Sequence, residues 1–476
     1  MKASYIKNVL SSYRGAVFLW THACRTTILA AALSITGISQ NSNPTQSNAL
    51  EGIWSAKIVF AGETKEPVEV HRNADHWGAG ISKKPLDVQV NDANVRLSFP
   101  GQPFAYRGRF SRDRHSIEGF WIVPPGEIIG GWAIPLRLSS VGGQTWRGTL
   151  QIPPDQFTLY LKIFRDSQGS LIGSFRNPEL NLIGGAAQFR VSQEGDIVHF
   201  DGETRGRKIN YEARLLHSPD RLSIRWPDLD RTIELGRTAP EQTSSYFPRP
   251  VGKTSYVYQK PAVTGDGWET ARASDVGINE DVLGRIVQNV IDSDPAASQP
   301  TLMHSILVAR RRKLVLEEYF YGYNRDTLHP LRSASKTFTS VMLGAAMMEG
   351  AKLGPETKIY ELLSGMGPFA NPDQRKSQIT ISHLLTHSAG FACDDNDDAS
   401  PGNEEVMQTQ KQQPNWWKYT LDLPIIRDPG TKSVYCSTNL NLVGAALTGA
   451  TRAWLPELFD RTIARPLQIS KITTGI

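Results

Sequence analysis

The chain has 476 residues, with 52 basic against 47 acidic side chains for a net charge of +5 and a mean hydropathy of −0.33. With 39% hydrophobic and 21% charged residues the composition is globular, because disorder needs fewer apolar groups and more net charge. The mild, dispersed basic excess makes no nucleic-acid footprint. The 3 cysteines can neither staple a mini-domain nor form a four-thiolate metal site, and multi-pass membrane and fibrous proteins are excluded as well.

Residues 1–39 read as a targeting segment. Lys2, Lys7, Arg14 and Arg25 are basic, and no acidic residue occurs before Glu51. The apolar run Thr26–Ile38 is too short to span a bilayer. Gly37 and Ser39 set small side chains before a cut at Gln40. Cys24 lacks the leucine-led context of a lipid-attachment site. The expected location is exported, periplasmic or extracellular, with membrane association only if this segment stays uncleaved.

Residues 50–236 show short apolar alternations broken by Gly, Pro, Asn and Asp, as at Ala56–Phe60, Ala187–Val191 and Asp196–Phe200. Such spacing predicts an all-β domain, sandwich or barrel. Gly52-Ile53-Trp54 resembles the Gly-x-Trp of lipocalin barrels, a short match that leaves a purely structural β domain as the simpler reading. Arg112-Asp113 before Ile117-Glu118-Gly119-Phe120 is similar to Arg165-Asp166 before Leu171-Ile172-Gly173-Ser174-Phe175. The pair is either chance or a trace of duplication.

Residues 237–265, with Ala239-Pro240 and Pro248-Arg249-Pro250, read as a Pro-rich linker. Residues 266–476 then read as a mixed α/β domain. Asp281–Ile291 has helical apolar spacing, and Ser305–Ala309 with Leu314–Tyr321 flank the polar Arg310–Lys313 turn of a hairpin.

Ser333-Ala334-Ser335-Lys336 precedes Thr337–Glu349, an apolar, proline-free run that predicts a buried helix ending at Gly350. Ser333 falls at the helix N-terminus and Lys336 on the same face. There an amine can reach the hydroxyl while free N–H groups favour developing negative charge. An amine used as a base has to be held below its ordinary ~10.4 by burial or nearby positive charge. The four residues alone also fit an N-cap serine and a surface lysine, and Ser4-Tyr5-Ile6-Lys7 has the same spacing.

Two further landmarks follow in order: Ile381-Ser382-His383-Leu384-Leu385-Thr386-His387-Ser388-Ala389-Gly390, then Pro429-Gly430-Thr431 leading to Tyr435-Cys436-Ser437. With Ser333-x-x-Lys336 these resemble the serine β-lactamase and DD-peptidase superfamily, in its class C β-lactamase and esterase branch, from about Gly267 to Leu467. The resemblance implies an α/β serine β-lactamase-like fold for the C-terminal domain. It makes Ser333 the acylated nucleophile, Lys336 its activating neighbour and Tyr435 the phenol that relays protons. His387 is expected to be a structural hydrogen-bonder beneath the site. The implied activity is serine hydrolysis through an acyl-enzyme, on a D-amino-acid peptide, a small ester or a β-lactam. The partner is a small-molecule or peptide substrate, with no nucleic acid, cofactor or metal. The alternative is a non-catalytic or inactive cell-envelope ligand-binding protein on the same fold.

The match departs from the family at two places. Ser437 stands where many relatives have Asn; it is the expected substrate contact but has less reach, and Asn439 substitutes only if the loop differs. Second, no Lys/His-Thr/Ser-Gly triplet follows Tyr435; Thr473-Thr474-Gly475 is not one. In the family that strand supplies one oxyanion N–H, whose loss costs ~10²–10³ in rate in studied hydrolases. The expectation is a domain incomplete beyond Pro466-Leu467 that carries the nucleophile with weak or absent turnover.

Asp394-Asp395-Asn396-Asp397-Asp398 reads as a solvated acidic lid beside the site. Counted on to Ser400 and Glu405 it also resembles a calcium loop, but Ala399 stands where that turn needs Gly. Cys393 and Cys436 adjoin this lid and Tyr435. In an exported protein they form either a disulfide that fixes the lid or two buried thiols.

Overall fold

The computed structural model describes residues 50–124, 131–178, 188–204, 207–217, 220–226, 231–250, 255–469 and 474–475. The export segment 1–39 expected from sequence, with Cys24, lies outside the described residues. No helix among the described residues is long and apolar enough to cross a membrane.

The N-terminal region is all β. Strand β1 (Gly52–Ala61) is followed by β2 (Thr64–Asn73), β3 (His76–Ile81), β4 (Lys84–Asn91) and β5 (Asn94–Ser98). Next come β6 (Phe104–Phe110), β7 (Ser116–Val123), β8 (Trp132–Gly142), β9 (Thr145–Ile152), β10 (Asp155–Arg165) and β11 (Leu171–Arg176). The run ends with β12 (Phe189–Glu194), β13 (Ile197–Thr204), β14 (Arg207–His217), β15 (Asp220–Trp226) and β16 (Arg231–Arg237). These strands make two closed rings of eight. β1 joins β10–β16 in one barrel, and β2–β9 close through the β2–β9 and β8–β9 pairings in the other. Closure removes the exposed edges that an open sheet would have to protect.

Gly52-Ile53-Trp54 opens β1 at the seam of the first barrel. Trp54 is fully buried, its Nε1 donates to the Leu50 carbonyl at 2.9 Å, and its register partner is Arg237 of β16. The Arg237 guanidinium covers the indole at 4.2 Å while donating to the Glu51 carbonyl at 2.7 Å. One side chain therefore ties the first strand to the last. Phe175 packs against Phe189, Phe200, Tyr211 and Trp226 at centroid distances of 5.3–5.7 Å, so this core is filled by rings.

The two similar sequence stretches both fall on hairpin turns. Asp113 accepts from the His115 N–H between β6 and β7, and Asp166 accepts from the Gln168 and Ser170 N–H groups between β10 and β11. Along the chain these are the fifth and sixth strands of one ring and the second and third of the other. The similarity thus reports one kind of Asp-stabilised turn in non-equivalent places.

The C-terminal region has helices and a small sheet. Helix α1 (Glu280–Ile291) is capped by Asn279, whose Oδ1 accepts from the Val282 N–H at 3.0 Å, and buries Leu283, Val287 and Val290. Strands β17 (Glu269–Thr270), β18 (Ser305–Arg310) and β19 (Lys313–Tyr319) form a sheet in the order β17-β19-β18. The β18–β19 hairpin turns on Arg311 and Arg312, both at positive φ (51° and 62°), the backbone that two-residue hairpin loops require. Residues 237–265, expected as a linker, are partly packed: Tyr246 is fully buried, and Tyr256 and Tyr258 pack with the α1 core.

The chain groups into two compact units, neither contiguous in sequence. One joins the stretch ending at Phe60 to Gln156–His329, and the other joins Ala61–Asp155 to Pro330–Ile476. The second contains helices α2 (Lys336–Met348), α3 (Ile381–Leu385), α4 (Glu404–Thr409) and α5 (Ser437–Thr451). Helix α5 is buried nearly all round from Ser437 to Leu447 and is the centre of that core. Strand β20 (Thr474–Gly475) adds to β8 at Ala133 and Trp132. Helix α2 departs from the buried helix expected: Met342, Leu343 and Ala346 are buried, but Val341 and Met348 are 49% and 91% exposed. Apolar composition marks which residues favour burial without supplying a neighbour on every side.

Replacing Trp54 by Ala removes the seam's indole and with it the ring that the Arg237 guanidinium covers. Chemical denaturation is expected to show a loss of about 3–5 kcal/mol, as for buried aromatic truncations generally; a change below about 1 kcal/mol would contradict the seam's importance.

Candidate active site

Ser333 lies in a 3₁₀ turn, Arg332–Ser335, that runs directly into α2. Arg332, just before it, has φ 49°, a left-handed conformation that costs a non-glycine residue energy and clusters at functional positions. Lys336, the first residue of α2, donates from Nζ to the Ser333 Oγ at 3.3 Å. Ser333 is not an N-cap; its hydroxyl faces Lys336 on one side and Tyr435 on the other.

Tyr435, 102 residues later, donates from Oη to the same Ser333 Oγ at 2.9 Å. The Lys336 ammonium stands over the Tyr435 ring at 5.4 Å. The structure therefore brings Ser333, Lys336 and Tyr435 onto one oxygen. Ser333 is exposed and Tyr435 is 37% exposed, so the hydroxyl is accessible from solvent.

The Leu-Leu-x-His-x-Ser-Gly stretch explains how Tyr435 arrives there. Helix α3 is capped by Thr380 and His383 in a reciprocal capping box. The chain then reverses at His387, φ 55°. Beyond the reversal the backbone grips the tyrosine segment: the Val434 N–H donates to the His387 carbonyl at 2.9 Å and the Gly430 N–H to the Ser388 carbonyl at 2.8 Å. Gly390 is at φ 85°, and a Cβ there would sit 2.2 Å from the Arg427 carbonyl oxygen, so only glycine fits.

His387 sits beneath Tyr435, with ring centroids 4.9 Å apart at 31°, and its Nδ1 accepts from the Cys436 N–H at 3.1 Å. Burial holds its pKa below the ordinary histidine value, opposed by the Cys436 backbone and reinforced by the nearby Lys336 ammonium.

Cys393 and Cys436 form a disulfide with Cα atoms 5.6 Å apart, tying the loop after α3 to the residue next to Tyr435. Ser437 does not stand where a substrate contact was expected. It is 6% exposed, starts α5, and its Oγ has no hydrogen-bond partner among the described residues. A hydroxyl closed from solvent cannot meet substrate without rearrangement. Asn439 is likewise buried in α5.

The acidic run is only partly a solvated lid. Asp394 and Asp397 accept from the N–H groups two residues ahead, at 2.9 Å each, and Asn396, Asp397 and Asp398 are exposed. Asp395 instead is 6% exposed, and its Oδ2 accepts from the Ser437 N–H at 2.7 Å. Sequence reasoning missed this residue because five polar neighbours in a row give no sign of which one turns inward.

Residues 296–475 match the Beta-lactamase family model. The C-terminal part of the chain is a Beta-lactamase-family domain. Acyltransferase mokF of Monascus pilosus is 28% identical over 161 residues, covering 31% of this chain and 38% of that protein. D-alanyl-D-alanine-carboxypeptidase/endopeptidase AmpH of Escherichia coli (strain K12) is 26% identical over 150 residues, covering 31% and 37%. A Beta-lactamase of the same organism is 27% identical over 149 residues, covering 31% and 34%. The chain spans just over a third of the length of these curated relatives. At this distance the domain is assigned to a serine hydrolase family, a class broader than any one of these activities.

Because the folded state disfavours protonated His387, its contribution to stability is complete above the unfolded value of about 6.5 and is lost as pH falls below it. Denaturation midpoints taken from pH about 7.5 down to about 5 are expected to fall more steeply in the wild type than in His387→Asn. Asparagine keeps an acceptor and tolerates positive φ. Equal slopes would contradict a half-buried His387 held neutral in the folded state.

Proposed function

We propose that the C-terminal domain is a serine hydrolase that works through an acyl-enzyme on an amide or ester. The observation that carries this reading is the convergence of the Lys336 Nζ and Tyr435 Oη on the Ser333 Oγ, at 3.3 and 2.9 Å. In acylation the Tyr435–Lys336 pair reacts with one proton fewer than an ammonium plus a phenol, so that as the Ser333 oxygen attacks the substrate carbonyl its proton passes to the vacant position on Tyr435 Oη or Lys336 Nζ. The tetrahedral intermediate expels the leaving amine or alcohol, which takes that proton, and an ester on Ser333 remains. In deacylation water attacks the ester, gives a proton to the same pair, and Ser333 leaves as the alkoxide that recovers it.

The candidate substrates are D-amino-acid peptides, small esters and β-lactams. An ester or peptide is preferred over a β-lactam, because Ser437 is buried and offers no amide to the site. The solvent-accessible Ser333 is compatible with a bulky acyl group. The Cys393–Cys436 pairing is in keeping with an exported protein, since disulfides persist in oxidising compartments.

The test is hydrolysis of a chromogenic ester, a D-Ala-D-Ala peptide and a chromogenic β-lactam by the full chain. Ser333→Ala is expected to remove turnover of whichever is cleaved, and Lys336→Ala to lower it by ~10²–10⁴, the span of general acid–base contributions. Turnover unchanged in Ser333→Ala would overturn the reading. Stoichiometric capture of ligand without turnover would favour the ligand-binding alternative.

A further inference from the structure

We propose that Asp395 is the positioning residue that holds Tyr435 on Ser333, an inference that rests on the acyl-transfer reading above. Asp395 engages the tyrosine motif on both sides. Its N–H donates to the Tyr435 carbonyl at 2.9 Å, and its Oδ2 accepts from the Ser437 N–H at 2.7 Å. Its other oxygen, Oδ1, accepts from the Glu404 N–H at 3.0 Å. Ser437 and Glu404 are the first residues of α5 and α4. One buried carboxylate thus bridges two helix starts, accepting from each a first-turn N–H that has no partner within its own helix. Those donors offset the cost of burying the charge.

The consequence falls on Tyr435. Cys436, which lies between it and Ser437, is the N-cap residue of α5, yet its side chain makes no cap hydrogen bond. The capping acceptor is instead supplied from a distant loop, by Asp395. The same loop is fastened next door by the Cys393–Cys436 disulfide. Without the carboxylate, the Ser437 N–H loses its partner and the start of α5 is free to shift. A displacement of about 1 Å at a reacting group costs on the order of a hundredfold in rate. Among the described residues Asp395 hydrogen-bonds to neither Ser333 nor the Tyr435 hydroxyl, so it acts through the tyrosine backbone.

The experiment measures the rate at which a fluorophosphonate probe labels the full chain. Asp395→Ala and Asp395→Asn are compared in the wild-type and Tyr435→Phe backgrounds, with thermal melts of each protein. With Tyr435 present, Asp395→Ala is expected to slow labelling roughly ten- to a hundredfold. Asp395→Asn is expected to fall between, because its amide keeps one acceptor oxygen. In the Tyr435→Phe background the Asp395 substitutions are expected to change labelling less than about twofold, since the group being positioned is gone. Equal losses in both backgrounds, no slowing at all, or failure of both Asp395 variants to melt cooperatively would overturn the proposal. If the wild type forms no adduct, or Ser333→Ala keeps it, the acyl-transfer reading itself fails. If the wild type labels at Ser333 and Tyr435→Phe slows it while Asp395→Ala does not, only the role of Asp395 fails.

Discussion

One oxygen, the Ser333 Oγ, receives a hydrogen bond from each of two segments, and the rest of the domain is arranged to keep that meeting in place. Lys336 reaches it locally, being three residues on along the chain. Tyr435 has to be brought across 102 residues of chain. Holding a phenol at 2.9 Å from a hydroxyl across such a loop is an entropic problem, and the fold meets it with several short-range fastenings instead of one strong contact.

Those fastenings share a logic. The reversal at His387 puts a carbonyl and an imidazole against the Val434–Cys436 backbone. From the loop after Gly390 the disulfide holds Cys436, and Asp395 holds Tyr435 and Ser437 on either side of it. Directly beyond, α5 enters the apolar core and is buried almost all round. A tyrosine at the mouth of a helix so largely buried inherits the helix's rigidity while its own ring stays partly in solvent. That combination suits a proton relay, which needs a fixed oxygen and access for substrate.

Much of this site was legible in the sequence because its chemistry demands a fixed spacing. Ser333 and Lys336 need one helical turn between them, and the chain after them reads as a helix. The β18–β19 hairpin and α1 were legible for the same local reason, an apolar period broken by a turn or a cap. What could not be read depends on distant partners. Trp54 was visible as part of a tripeptide, but not Arg237 lying over it, because barrel closure pairs strands that are 183 residues apart. The five-residue acidic run gave no hint that Asp395 turns inward, and Ser437 gave none that its hydroxyl is enclosed. The open outer face of α2, with Met348 at 91% exposure, is a matter of neighbours and not of composition. The two similar Arg-Asp stretches left chance and duplication both open, and each falls on a hairpin turn, where an Asp accepting from the N–H groups ahead of it is a solution any hairpin can adopt.

The most direct measurement of the central claim is the intact mass of the full chain after exposure to a fluorophosphonate, followed by peptide mapping. A single adduct is expected, located on Ser333 and missing from Ser333→Ala, because only a serine whose proton has somewhere to go attacks such a reagent readily. A folded chain that stays unmodified, or one modified on other residues to the same extent with and without Ser333, would contradict it.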